Sequence, residues 1–375
     1  MAEVTDILKK LISIKSVNSQ SNEEINNEIK NMLSKFEVRT FEFTKVDSAT
    51  KKSVKLFNLV VKIKGDSDKN PLVFSGHTDT VELERGWSVD PFFGTNKDGR
   101  VYGLGSCDMK AGLACFISAA LSLKKNPKRD IYLLFDADEE GSGLGGNKMI
   151  EDLKLKNSQV VIAEPTDRSI IYGQKGCLDF IIEVEGIASH SSGTNLSNNL
   201  KNNAIYRMLK IQQEFLKYES EIEKMSDALF GKPSFNMGKI SGGSGANVVA
   251  DYCILNASRR LLPTENLSVE LKKIKMLVSQ IDSNAKVTET FVGEPFIVDK
   301  KSKFGEKLSS LSKKFIGESK FDVKSGWTEA ALFSSYGETF IFGPGTSEMC
   351  HKLDESVSIK DLKAFKEIYR SLMED

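Results

Sequence analysis

The 375-residue sequence holds three histidines, and each stands where a side chain could do chemistry. His77 closes an apolar run in Ser75-Gly76-His77-Thr78-Asp79. His351 follows an apolar run and Gly343-Pro344-Gly345, and His190 lies in Ala188-Ser189-His190-Ser191-Ser192. A neutral imidazole is a ready metal ligand. Asp79 could accept the second ring N–H of His77 if the chain between them is extended, which would fix tautomer and orientation; an Asx-type turn is the other use of such a residue. Asp108, in Gly103-Leu104-Gly105-Ser106-Cys107-Asp108-Met109-Lys110, precedes an apolar helical pattern. It could cap that helix, bind a metal, or give one oxygen to each task.

Asp136, Asp138, Glu139 and Glu140 follow the strand pattern at 130–135, and Glu164 ends the strand pattern at 159–163. Carboxylates gathered at a strand end repel one another unless cations neutralise them, and a solvated acidic loop is the alternative. Adjacent Glu139 and Glu140 allow one to bind metal and the other to handle protons. A competing motif, Gly141-Ser142-Gly143-Leu144-Gly145-Gly146, satisfies the dinucleotide fingerprint G-x-G-x-x-G between strand and helix. The acidic run just before it would face a pyrophosphate, which argues against an NAD-binding oxidoreductase. The nucleophile elbow GxSxG is absent. Cys107 and Cys350 adjoin candidate ligands, but free cysteines are usually small buried hydrophobes, and oxygen and nitrogen donors already suffice.

Short apolar runs at 56–63, 71–75, 130–135 and 159–163 alternate with helical patterns at 111–125 and 144–153, the signature of an α/β domain with a mostly parallel sheet. All the acids then project from the carboxyl edge, where open α/β folds bind ligands. Residues 178–291 read differently: strand 178–185, helix 199–218, strands 235–240 and 252–258, helix 266–281 and strand 286–291. That β-α-β-β-α-β order is ferredoxin-like. The expected organisation is a catalytic domain over 1–173 and 292–375, interrupted by an inserted α+β domain at 174–291, with helix 301–316 and strand 339–342 in the resumed part.

Lys+Arg and Asp+Glu both number 52, so no net field gathers nucleic acid or an anionic membrane. No apolar run approaches the ~20 residues of a membrane span. The first 24 residues place Val4, Ile7, Leu8, Leu11 and Ile12 at helical spacing and lack a signal peptide's apolar core. Five scattered cysteines without a CxxC pair support neither a disulfide framework nor a cysteine zinc knot. The expected setting is cytoplasmic.

With these pieces in order, the sequence resembles the two-zinc amidohydrolase and exopeptidase family of acetylornithine deacetylase, succinyl-diaminopimelate desuccinylase, carboxypeptidase G and aminoacylase. The match runs through SGHTDTV, WSVDPF, GLGSCDMKAG, DADEEGSG, AEPT, ASHSS, NVV, RRLLP, WTEA and GPG…HKLDE. The resemblance implies a zinc-peptidase-like sheet domain carrying a dimerisation or lid domain, and two Zn2+ per subunit, with Co2+ or Mn2+ as substitutes. By it, Asp108 bridges the metals, His77 and Glu164 complete one site, and Glu140 and His351 the other. Asp79 orients His77, and Glu139 is the general base acting on a metal-bridging water. His190, Asn247 and Arg260 contact substrate, the histidine reaching into the other subunit of a homodimer.

The implied reaction is hydrolysis of the amide of an N-acyl amino acid, N-acetylornithine first, with desuccinylase, metallo-carboxypeptidase or dipeptidase action as alternatives and a non-catalytic metal-binding scaffold as a distant one. Three departures bear on specificity. Ser258-Arg259-Arg260 replaces the family's Asp-x-Arg, leaving open which arginine faces substrate; Leu104 stands where many members have Arg, and Cys350 where Ala is common.

Overall fold

The computed structural model describes residues 3–46, 52–67 and 69–375. The chain divides into two compact units. One runs through Gly173 and takes in Val298–Asp322 and Thr328–Asp375; the other is Gln174–Ile297 with Val323–Trp327.

In the first unit, Leu72–His77 and Ser158–Pro165 are buried at essentially every position, which requires a sheet covered on both faces. Ile131–Asp136, Leu72–His77, Ser158–Pro165 and Gly337–Gly343 run parallel in that spatial order. Ser53–Ile63 joins antiparallel beside Ile131–Asp136, and Glu37–Val46 pairs antiparallel outside it. The fold is thus mixed α/β with a mostly parallel centre, as the alternation of elements implies. The register sets His77 beside Asp136, so the acids and the first histidine emerge from one sheet edge.

The helix Lys110–Leu121 is buried from Lys110 to Ala120. Its Gly112 lies directly on a strand: a Cβ there would come within 2.2 Å of the Ala163 carbonyl oxygen. Val4–Ser13 buries the five apolar residues noted above. At its end, the Leu11 and Ile14 carbonyls each accept a hydrogen bond from Lys110 Nζ at 3.0 Å. Among the described residues, no helix is long and apolar enough to cross a membrane.

The second unit is a four-stranded antiparallel sheet in the order Ser234–Gly242, Tyr252–Leu261, Gly176–Glu185, Lys286–Gly293. Helices Ala204–Ile222 and Leu267–Ile281 cover one face, and their apolar side chains join those of the strands in a single core. The expected helix 199–218 is two helices, Leu196–Asn202 and Ala204–Ile222. Asn203 breaks it, because its side-chain oxygen accepts the N–H groups of Ile205 and Tyr206 and so caps the second helix.

Strand alternation separates the two arginines left open by the sequence. Arg259 shares the covered side of its strand with Cys253, Leu255 and Ala257 and is fully buried. Its guanidinium donates to Tyr218 Oη at 2.7 Å and pairs with Glu265. Arg260 points to the opposite side, half-buried, as period two requires. Arg259 is therefore a core anchor, and Arg260 lies outside that core. Arg259→Met should lower the unfolding free energy by about 3–5 kcal/mol, because it strands a buried carboxylate. Arg260→Met should change it by only about 0.5 kcal/mol. Urea unfolding of both variants measures the contrast, and equal losses would contradict it.

Candidate metal centre

His77 is the last residue of its strand, with Nε2 3.2 Å from Asp108 Oδ1 and 3.6 Å from Glu164 Oε1. His351 Nε2 lies 3.4 Å from Asp108 Oδ2 and 3.0 Å from Glu140 Oε1. Asp108 thus stands between the imidazoles, one oxygen toward each. Among the described residues, two groups offer ligand atoms all within 4.8 Å of one another: His77 with Asp108 and Glu140, and His77 with Glu139 and Glu164. This donor set of carboxylates and imidazoles fits divalent cations.

The structure settles several alternatives. Asp136 and Asp138 are buried, and Glu139 and Glu140 half-buried, so the acidic run is no solvated loop. Met109, and not Asp108, occupies the cap position of Lys110–Leu121, without a side-chain cap. The Asp138 carbonyl accepts the N–H groups of Gly141, Ser142 and Gly143 at 3.3, 3.1 and 2.7 Å. The glycine-rich turn therefore spends on its own chain the donors a pyrophosphate would need.

Asp79 acts differently from the simple expectation. His77 Nδ1 lies 3.0 Å from the Asp79 backbone carbonyl, while the Asp79 carboxylate is 3.8 Å away. The strand ends at His77, so the extended geometry that would align the two side chains stops there. The carboxylate instead accepts the backbone N–H groups of Glu139 at 3.4 Å and Glu140 at 3.1 Å.

Three further residues escaped the sequence reading. Buried Glu355 accepts the N–H groups of Gly105, Cys107 and Asp108 at 2.9, 2.6 and 2.9 Å, shaping the loop that presents Asp108. Its place in HKLDE, beside His351, was the available signal. Asp136 is influenced by the neighbouring carboxyl of Glu329, also buried. Burial raises the Asp136 carboxyl to about 6 and, with Asp136 alongside, pushes Glu329 well above the usual range. Glu329 is thus drawn toward its protonated form beside Asp136. Nothing in the sequence marked Glu329 for this beyond its position in WTEA. The third is Lys110, whose ammonium burial brings down to about 7.

Crowded acids and imidazoles perturb one another. Burial alone would depress His77, yet hydrogen bonds to Asp108 and Glu164 hold it well above its ordinary value. His351 is raised to about 10 by Asp108 and Glu140. Burial pushes Glu139 well up, reinforced by Glu164, Glu140 and Asp108. Glu140 is raised by burial too, against its bond to His351.

The remaining candidates, His190, Asn247 and Arg260, belong to the second unit. His190 Nδ1 lies 2.8 Å from Ser192 Oγ, and the Asn247 carbonyl accepts the Ser191 N–H at 3.0 Å, so His190 and Asn247 are neighbours. Arg260 forms no ion pair among the described residues.

A parallel sheet with clustered acids and imidazoles at its carboxyl edge defines a metal-dependent hydrolase. Residues 73–375 match the model of peptidase family M20/M25/M40, and the chain belongs to that family. It is similar to acetylornithine deacetylases of Buchnera aphidicola subsp. Schizaphis graminum, at 30% identity over 85% of this chain and 84% of the relative, and of Shigella sonnei, at 30% over 83% and 81%. In fold it is similar to an M20 family metallo-carboxypeptidase from Sulfolobus solfataricus, with a TM-score of 0.81 and 19% identity, covering 100% of this chain and 99% of that one. A Bacillus subtilis protein described as a dinuclear metal binding peptidase of the M20 family gives 0.68 at 15% identity over 99% and 98%.

Glu355→Gln turns an amide NH2 toward backbone donors that need an acceptor. It should weaken Co2+ binding about 10–100-fold, measured by following cobalt absorption during titration; undiminished affinity would remove Glu355 from the positioning of Asp108.

Proposed function

We propose that the protein hydrolyses the amide bond of small N-acylated amino acids, with N-acetylornithine as the leading substrate. The observation that carries this reading is the Asp108 carboxylate set between His77 and His351, with Glu140 and Glu164 on either side. His77, Glu164 and Asp108 would hold one ion, and Glu140, His351 and Asp108 a second. Zinc suits the ligand set best, with cobalt or manganese as substitutes. When bound, the ions supply Lewis-acid polarisation of the amide carbonyl and make water a stronger acid.

The chain's own groups do the rest. Glu139 takes the attacking water's proton and returns it to the departing amine, a task served by a carboxyl whose proton affinity burial and the neighbouring Glu164, Glu140 and Asp108 raise. Asp79 fixes the Glu139–Glu140 backbone and, through its carbonyl, the His77 ring. Arg260 binds a substrate carboxylate through paired hydrogen bonds. His190 and Asn247 serve the site of a second copy, His190 donating to the developing oxyanion, so that the working form is a homodimer. Beside His351 a cleft lined by Val81, Trp87, Leu104 and Leu353 together with Glu82, Glu84 and Lys352 offers both apolar and charged contacts for part of the substrate. The similarity to acetylornithine deacetylases supports the hydrolase family, and N-acetylornithine is the first substrate to test within it.

Glu139→Gln should retain the metal content of the native protein yet lose about 10²–10⁴-fold in kcat on N-acetylornithine. Elemental analysis and steady-state kinetics measure both. Native turnover in that variant would remove Glu139 as the base. Faster cleavage of N-succinyl-diaminopimelate or dipeptides than of N-acetylornithine by the native enzyme would replace the substrate assignment.

A further inference from the structure

Cys107 and Cys350, 243 positions apart by their numbering, meet in the fold. Cys107 Sγ donates to the Thr346 carbonyl oxygen at 3.4 Å, and Cys350 Sγ reaches the same oxygen at 3.7 Å. The two sulfurs thus converge on one carbonyl oxygen. Cys107 is buried, whereas Cys350 is partly exposed. Each directly precedes a proposed ligand, Asp108 or His351, and the Cys107 N–H is held by Glu355, which also holds that of Asp108. The proposed chemistry uses neither sulfur.

We propose that Cys107 and Cys350 form an oxidation site: a dithiol that a hydroperoxide converts into an intramolecular disulfide, reversibly lowering metal affinity and turnover. The second half of the proposal rests on the metal-centre reading above; the first half does not. The partly exposed Cys350 sulfur attacks the peroxide O–O bond, taking one oxygen as a sulfenic acid while the other leaves as water. Cys107 sulfur then displaces the sulfenic oxygen, which leaves as a second water with the thiol proton. Two thiols and one hydrogen peroxide give one disulfide and two waters. Forming the bond brings the sulfurs to about 2.0 Å, and residues joined covalently to Asp108 and His351 must shift to allow it.

The test treats the metal-loaded enzyme with hydrogen peroxide, removes the peroxide, and reads three quantities. Peptide mass spectrometry without reductant should find a Cys107–Cys350 cross-link. Co2+ affinity and hydrolysis should both fall about tenfold or more and return with a thiol reductant, which does not repair methionine sulfoxide. Cys350→Ser should keep the untreated activity and resist the treatment. Absence of the cross-linked peptide overturns the proposal, as does a cross-linked enzyme with native Co2+ affinity and turnover, or a Cys350→Ser variant inactivated as fast as the native protein. An untreated enzyme that hydrolyses substrate without binding Co2+, Zn2+ or Mn2+ would sink the metal reading instead, and the mass measurement of the cross-link would stand apart from it.

Discussion

Asp108, Glu139, Glu140 and Glu164 gather at one sheet edge against a steep electrostatic gradient. Two like charges about 4 Å apart repel by about 4 kcal/mol at the effective dielectric of a protein surface, and this cluster holds several such pairs. Positive charge must lie among them. His77 and His351, placed with their Nε2 atoms against the carboxylates, supply it as protonated rings, or leave it to divalent ions when they are neutral. The raised affinity of both imidazoles for protons is the same demand seen from the other side.

The rest of the first unit keeps the cluster from relaxing apart. Parallel strands fix His77 and Glu164 at buried ends, where neither can withdraw into water. Asp108 arrives on a loop, and a loop is a poor support for a ligand unless its backbone is held. Glu355 does so with three hydrogen bonds, and Lys110 ties the start of the following helix to the carbonyls ending Val4–Ser13. His351 differs: it sits at a left-handed φ of 57° in a turn and is half exposed. The cluster therefore has a rigid side built on strands and an open side built on a turn, and the cleft beside His351 lies on the open side.

Much of this was legible in the sequence because burial and charge leave distinct patterns. Apolar runs ending in acids read directly as strands feeding an edge, and they appear as Leu72–His77, Ile131–Asp136 and Ser158–Pro165. The outer strand Glu37–Val46 was missed because it buries no face, so its charged and aromatic residues carry no contrast. Glu355 and Glu329 were missed for another reason: each acts on residues hundreds or scores of positions away, and sequence spacing does not encode such pairs. Arg259 was decidable in principle. Counting in twos from Cys253 through Leu255 and Ala257 places it on the covered side, and Arg260 on the other.

Glu139 and Glu140 carry the finest distinction in the site, since identical side chains on adjacent residues meet different partners. Both backbone N–H groups are tied to one carboxylate, that of Asp79, which holds the two residues in a fixed relation. Glu140 then pairs with His351, and its charge is partly answered by that ring. Glu139 groups with His77 and Glu164, and carboxylates surround it. Of the two, the carboxyl among like charges has more to gain by accepting a proton, and the one bonded to an imidazole more to gain by remaining ionised. That asymmetry is what a proton carrier beside an ion ligand requires, and it arises from where one aspartate pins the chain.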